Sequence, residues 1–271
     1  MRYVVGLFLV GLAVGGVGGA TDPAAECLEA YERKPYDAAF EPCKRAANEG
    51  DIIAQFYLGT MHRYGEGVPK DKVKAVEWYS KAAEQGHAEA QNTLGVMYRD
   101  GEGVSKENAK AAEWFTKAAE QGHAMAQNTL GVMCDQGTGV PKDNAKAVEW
   151  YSKAAKQGHA EAQFNLGQNY RQGEGVSKDM KKAVEWYTKS ANQGYITAQH
   201  NLSLMYGNGK GVRKDYVQAL FWSSLAALGG NEDATRTTKF LLARMKKKQV
   251  AEARRTAKEW LDKYNAAKNG D

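Results

Sequence analysis

The sequence predicts an all-α fold, a right-handed α-solenoid of stacked antiparallel helix pairs. Three observations predict it. Trp78, Trp114, Trp150, Trp186 and Trp222 stand 36 residues apart, and Gly50, Gly86, Gly122, Gly158, Gly194 and Gly230 keep the same interval. Residues 86–121 and 122–157 are identical at 25 of 36 positions. Within a unit the apolar residues recur at helical spacing. A fixed period of this length marks stacked repeats, each of which covers its apolar face against its neighbours. A structural unit is copied in this way; a catalytic constellation is not.

The chain begins with a segment outside the pattern. Met1 and Arg2 precede the run YVVGLFLVGLAV, and small residues lead to Gly18-Gly19-Ala20 ahead of Thr21-Asp22-Pro23. A charged start, an apolar middle and a small-residue cleavage site predict a secretory signal peptide over residues 1–20. The alternative is an uncleaved anchor, since the stretch from Tyr3 to Ala20 carries no charge. The protein is therefore expected in the periplasm or secreted space, with no stable membrane insertion after cleavage. In an oxidising compartment Cys27 and Cys43 read as a disulfide; the alternative is a pair of buried thiols packing as small hydrophobes. Cys134 takes the place of Tyr98, Tyr170 and Tyr206 and reads as a packing residue.

Residues 21–49 read as a degenerate capping repeat: Ala46, Ala47 and Gly50 fit, but Pro42 occupies the tryptophan position. Five full units follow over residues 50–229, at 50–85, 86–121, 122–157, 158–193 and 194–229. In the first helix of a unit, Ala90, Leu94, Met97 and Tyr98 make an apolar stripe. Gly95 beside Leu94 lets a neighbouring helix approach closely. Asp100-Gly101-Glu102-Gly103 ends the helix with glycine at the cap. The second helix opens on an N-cap acceptor, Asp71, repeated as Asp143, Asp179 and Asp215, with Glu107 the weaker variant. It carries Ala75, Trp78, Tyr79, Ala82 and Ala83 on one face, which leaves Lys74 and Lys81 in water. Residues 230–271 begin like a sixth unit at Gly230 and Ala234. They then lose the leucine to Thr238, lose the Gly-x-Gly turn, and end in a charged amphipathic helix over residues 251–264. Both ends read as caps.

Charge separates along the chain. Net charge is +5, and residues from Arg236 onward hold 11 basic against 4 acidic side chains. A basic C-terminal helix can meet an anionic surface; the plainer reading is a solvated lysine-rich face.

The motif A-Q-x-x-L-G-x-x-Y-x-x-G-x-G-V-x-K-D, followed by K-A-x-x-W-Y-x-K-A-A-x-Q-G-H-A, resembles the Sel-one-like repeat, a relative of the tetratricopeptide repeat. The resemblance implies that the first helices line a concave groove for a protein or peptide ligand. Off the apolar stripe these helices place Asn92, Asn128, Asn165 and Asn201, with Arg63, Arg99 and Arg171 near the helix ends. Amides both donate and accept, which suits the backbone of a bound peptide, and the arginines add selectivity for acidic partners. The companion glutamines, Gln91, Gln127, Gln163 and Gln199, read as spacers bonded to neighbouring turns. The repeat core is assigned to Leu94, Gly95 and the five tryptophans.

Some exported, cysteine-rich relatives are described as penicillin-binding or weakly β-lactam-hydrolysing, which makes a cell-wall-associated or weakly hydrolytic protein one alternative. A secreted effector that binds host proteins is another. The serine chemistry requires Ser-x-x-Lys, and no serine here has lysine three residues later. His87, His123 and His159 recur at an inter-unit turn without ligand spacing. The expectation is a non-enzymatic interaction scaffold without metal or cofactor, with no nucleic-acid partner. Oligomeric state is left open, a monomer being expected.

Overall fold

The computed structural model describes residues 22–269; the signal-peptide reading over residues 1–20 lies outside them. Fourteen α-helices and no strand occur among the described residues. The N-terminal cap comprises α1 (Pro23–Arg33), a short 3-10 turn (Tyr36–Ala39) and α2 (Phe40–Asn48). The five hairpins are α3 (Ile52–Tyr64) with α4 (Lys72–Glu84), α5 (Ala88–Asp100) with α6 (Asn108–Glu120), α7 (Ala124–Gln136) with α8 (Asn144–Lys156), α9 (Ala160–Gln172) with α10 (Met180–Asn192), and α11 (Ile196–Asn208) with α12 (Tyr216–Leu228). The chain closes with α13 (Glu232–Leu242) and α14 (Lys247–Asn269). Each helix of the array packs on the helices before and after it in sequence, so the molecule is an all-α solenoid.

Local chemistry explains the regularity. Gly65, Gly101, Gly137, Gly173 and Gly209 end the first helices in the left-handed conformation, donating their N–H back into the last turn. The second glycine of each turn has another task. A Cβ on Gly103 would stand 2.2 Å from the carbonyl oxygen of Lys72 in the preceding unit, and Gly139, Gly175 and Gly211 repeat the approach. These glycines are stacking contacts as well as turns. Asp71, Asp179 and Asp215 each cap a second helix by accepting two backbone N–H groups, and Asp143 accepts one. Glu107 makes no such bond.

Among the described residues the buried hydrophobic side chains form five clusters, several of them bridged by half-buried rings such as Tyr98, Tyr170 and Tyr206. Leu58, Leu94, Leu130, Leu166 and Leu202 are buried, as are small residues such as Ala82, Ala83, Ala118 and Ala119. The ring that fills the inter-helix gap is Tyr79, Phe115, Tyr151 or Tyr187, each buried, whereas Trp78, Trp114, Trp150 and Trp186 are half-buried. Lys81 is not simply surrendered to water. Its Nζ lies 3.8 Å from the Trp78 ring centroid, and Lys117, Lys153 and Lys189 cover Trp114, Trp150 and Trp186 in the same way. The i,i+3 spacing puts the ammonium over the ring, a contact worth about 0.5–1 kcal/mol at an exposed site.

The ends differ from the middle. A disulfide joins Cys27 on α1 to Cys43 on α2. Cys134 is a buried thiol whose pKa burial raises. At the other end Leu225 replaces the covering lysine, so Trp222 is buried and met by Trp260 of α14, with centroids 6.5 Å apart. Tyr264 stacks on Trp260 and donates its hydroxyl to the Gln193 carbonyl at 3.2 Å. The C-terminal helix is longer than the sequence pattern suggests and docks on the last unit, its apolar residues Ala257 and Leu261 joining the core.

Candidate partner-binding face

The first helices carry the residues expected to meet a partner, and the structure sorts them by burial. Asn92 and Asn128 are each 4% exposed. Asn92 points its Nδ2 at the Met125 sulfur and leaves Oδ1 without a partner; the Asn128 Oδ1 accepts from Asn165 Nδ2 at 3.1 Å. Asn165 and Asn201 are half-buried, and Asn201 lies beside the Tyr187 hydroxyl. The structure thus brings Asn128 and Asn165 together across one unit boundary, and leaves Asn165 and Asn201 the more accessible of the four.

The arginines differ in what holds them. Arg63 donates to Glu102 of the next unit at 3.2 Å, and Glu102 also meets Lys72. Arg99 grips Asp100 with two bonds, at 2.7 and 2.9 Å. Arg171 has neutral partners, the Tyr187 hydroxyl at 3.2 Å and Gln168 at 2.9 Å. The Arg171 charge is therefore the least offset of the three. Burial pushes the Tyr187 hydroxyl above its ordinary pKa, so it stays protonated beside that guanidinium.

The glutamines form a ladder. Gln91 donates to the Ala83 carbonyl at 2.9 Å and accepts from Gln121 at 2.7 Å; Gln127 and Gln163 repeat the pair with Gln157 and Gln193. Their amides are spent within the stack. His87, His123 and His159 turn out to be N-caps: Nδ1 accepts from Ala90, Ala126 and Ala162 at 3.1–3.2 Å. Sequence reasoning missed this. The signal was present, because Asp51 and Asn231 occupy the same repeat position and cap in the same way. Tyr195 stands there in the fifth unit and makes no cap bond. No group of three or more His, Cys, Asp or Glu arranged to hold a metal occurs among the described residues. No described helix is long and apolar enough to cross a membrane.

Clefts lie at both ends of the array. One of about 800 Å³ lies at the N-terminal end, between Asp22, Glu49, Ile53 and His87. A second, about 450 Å³, lies between α11, α12 and α13 beside Ser203 and Phe240, and a third, about 710 Å³, lies between α12, α13 and α14 beside Leu228 and Leu261. The repeat pattern announces none of these clefts except through Ser203, which stands where the other units carry glycine and lines the second one.

The comparisons with known proteins agree with this geometry. The Sel1 repeat model matches at residues 52–87, 88–123, 124–159, 160–195 and 196–231. Among curated proteins none matches. The structure is similar to that of a Sel1 repeat protein from Oxalobacter formigenes, at 34% identity and a TM-score of 0.76, over 90% of this chain and 96% of that one. It is also similar to a protective antigen present in uropathogenic Escherichia coli strains that displays an SLR fold. There the identity is 31% and the TM-score 0.59, over 89% of this chain and 61% of that one. Five consecutive matches across an uninterrupted stack of hairpins place the chain in a family: it belongs to the Sel1 repeat proteins.

Proposed function

We propose that this protein is a non-enzymatic interaction scaffold of the periplasm or secreted space, binding a peptide or protein along the face lined by its first helices. The observation that carries the reading is the division of labour among its polar groups. Histidines, aspartates and glutamines of the repeat are consumed as caps and spacers, while Asn165, Asn201 and Arg171 keep exposed surface and neutral partners. Two half-buried amides and one under-compensated guanidinium suit an acidic partner. The disulfide between Cys27 and Cys43 supports an oxidising compartment.

Site-specific photocrosslinking in living cells tests the assignment. A crosslinker placed at Arg171 or Asn165 is expected to trap a discrete partner, and one at the exposed Lys146 of the second helix α8 is not. Equal trapping from both sides, or trapping from Lys146 alone, removes the first-helix face from consideration.

A further inference from the structure

In four units one aromatic ring crosses from the second helix onto a glycine of the first. Tyr79, Phe115, Tyr151 and Tyr187 lie against Gly59, Gly95, Gly131 and Gly167. The Tyr187 hydroxyl then meets Arg171, Gln168 and Asn201. One repeat later this whole set is replaced. Ser223 stands for the ring, Ser203 for the glycine, Leu204 for Gln168, Gly207 for Arg171 and Thr237 for Asn201.

The ring and its polar partners are lost together; Ser223 itself is buried, donating to the Leu220 carbonyl and accepting from Thr238, so what stays open lies beside the replaced polar partners rather than at Ser223. The cleft of about 450 Å³ is lined by Ser203, Leu204, Gly207 and Thr237, the counterparts of the residues around Tyr187, with Phe240 and Lys214 at its rim. Ser203 is 1% exposed, and its Oγ has no hydrogen-bond partner. A buried hydroxyl without a partner costs about 1–3 kcal/mol, so this one is poised for a guest. Phe240 is 51% exposed, an apolar wall facing solvent. A Cβ on Gly207 would meet only the Ala219 Cβ at 3.7 Å, which leaves that side of the slot open.

We propose that this cleft is a binding site for an aromatic side chain of a partner polypeptide, a tyrosine seated among the residues that take the place of the polar partners of Tyr187. The proposal rests on the reading of the protein as a peptide-binding scaffold, and it names the anchor residue of the partner. The guest ring packs between Phe240 and the backbone of α11, close to Gly207, where no side chain intervenes. The Ser203 hydroxyl donates to the guest. Lys214 favours an acidic residue next to the tyrosine, whereas Arg236 is already engaged by Asp233. Aromatic anchors in small pockets are the usual centres of binding energy at protein interfaces.

The test uses the full mature chain and two probes, N-acetyl-tyrosinamide and a short glutamate-flanked peptide with one central tyrosine, followed by amide chemical shifts. Both are expected to shift Ser203, Thr237 and Phe240, the peptide more tightly, and the peptide with alanine for tyrosine is expected to bind at least ~10-fold more weakly. The double variant Ser203→Gly/Ser223→Tyr restores the internal ring and is expected to abolish these shifts while holding or raising Tm. If that variant does not fold, Gly207→Leu blocks the slot from the other side and is expected to do the same. Shifts that persist in the blocked variants overturn the proposal, as does the absence of shifts with both probes. Binding of tyrosinamide without any gain from the peptide overturns the partner assignment and leaves a site for free aromatics. The two readings fail separately: a blocked variant that still crosslinks its partner from Arg171 sinks the cleft and spares the scaffold, while absence of any partner at the first helices sinks the scaffold itself.

Discussion

Gly95 of α5 faces the ring of Phe115 on α6 so closely that a methyl group there would stand 2.9 Å from two ring carbons. The pair holds each hairpin together, since the missing side chain is what lets the ring lie flat across the helix. The arrangement recurs at Gly59 with Tyr79, Gly131 with Tyr151 and Gly167 with Tyr187. Gly95→Ala is expected to destabilise the protein by about 1–3 kcal/mol, the usual cost of overpacking a filled core. Gly207→Ala is expected to act in the opposite direction. Its Cβ meets ordinary contact only, and alanine is favoured over glycine within a helix by up to about 1 kcal/mol. Urea titrations of both variants read the two signs.

The N-terminal cap depends on its crosslink. Replacing Cys27 and Cys43 with alanine is expected to cost roughly 3 kcal/mol, the chain-entropy value for a loop of this size. Because solenoid units depend mainly on their neighbours, the loss is expected to fall on α1 and α2. Hydrogen exchange should show those helices opening first, with the region from α5 to α10 keeping its protection. Uniform loss of protection along the chain contradicts the prediction.

Stability is expected to fall on mild acidification. Burial holds the pKa of His87 and His159 below the ordinary imidazole value, and the same cause lowers His62 and His200. A lowered folded pKa means that the unfolded chain binds more protons. The stabilisation is present above about pH 6.5 and is lost as pH falls below that value. The N-cap bonds give the structural reason, because the accepting Nδ1 must be unprotonated. His87→Asn with His159→Asn installs the capping residue that the chain itself uses at Asn231. The pair is expected to keep the caps and flatten the slope of Tm between pH 7 and pH 5. An unchanged slope would rule out these two histidines as its source.

The glutamine ladder is expected to couple adjacent units. Gln91→Leu removes the bond to the Ala83 carbonyl and the bond from the Gln121 amide; the carbonyl keeps the Gly86 N–H and Gln121 reaches water, so the cost is about 0.5–1.5 kcal/mol per lost bond. Unfolding should broaden as well as shift, since Gln91 ties α5 both to α4 of the preceding hairpin and to the end of α6. A sharp transition at an unchanged midpoint would show the ladder to be energetically silent.

By itself the sequence determined the fold class and the unit length, because a 36-residue period with helical stripes admits little besides stacked hairpins. It also singled out Cys27 and Cys43 as the pair and Cys134 as the packed residue. Tertiary structure decided everything that depends on a neighbour in space. Only there does Gly95 acquire Phe115 as its partner, does Lys81 settle on Trp78 instead of water, and does α14 come to rest against Trp222. The same holds for the expected binding residues. Asn92 and Asn128 share a repeat position that the helical pattern leaves off the apolar stripe, but the next unit covers them, while Arg171 stays beside neutral partners. Periodicity records which residues are equivalent along the chain. Burial and charge compensation are set by the facing unit, so they can change from one repeat to the next without disturbing the period.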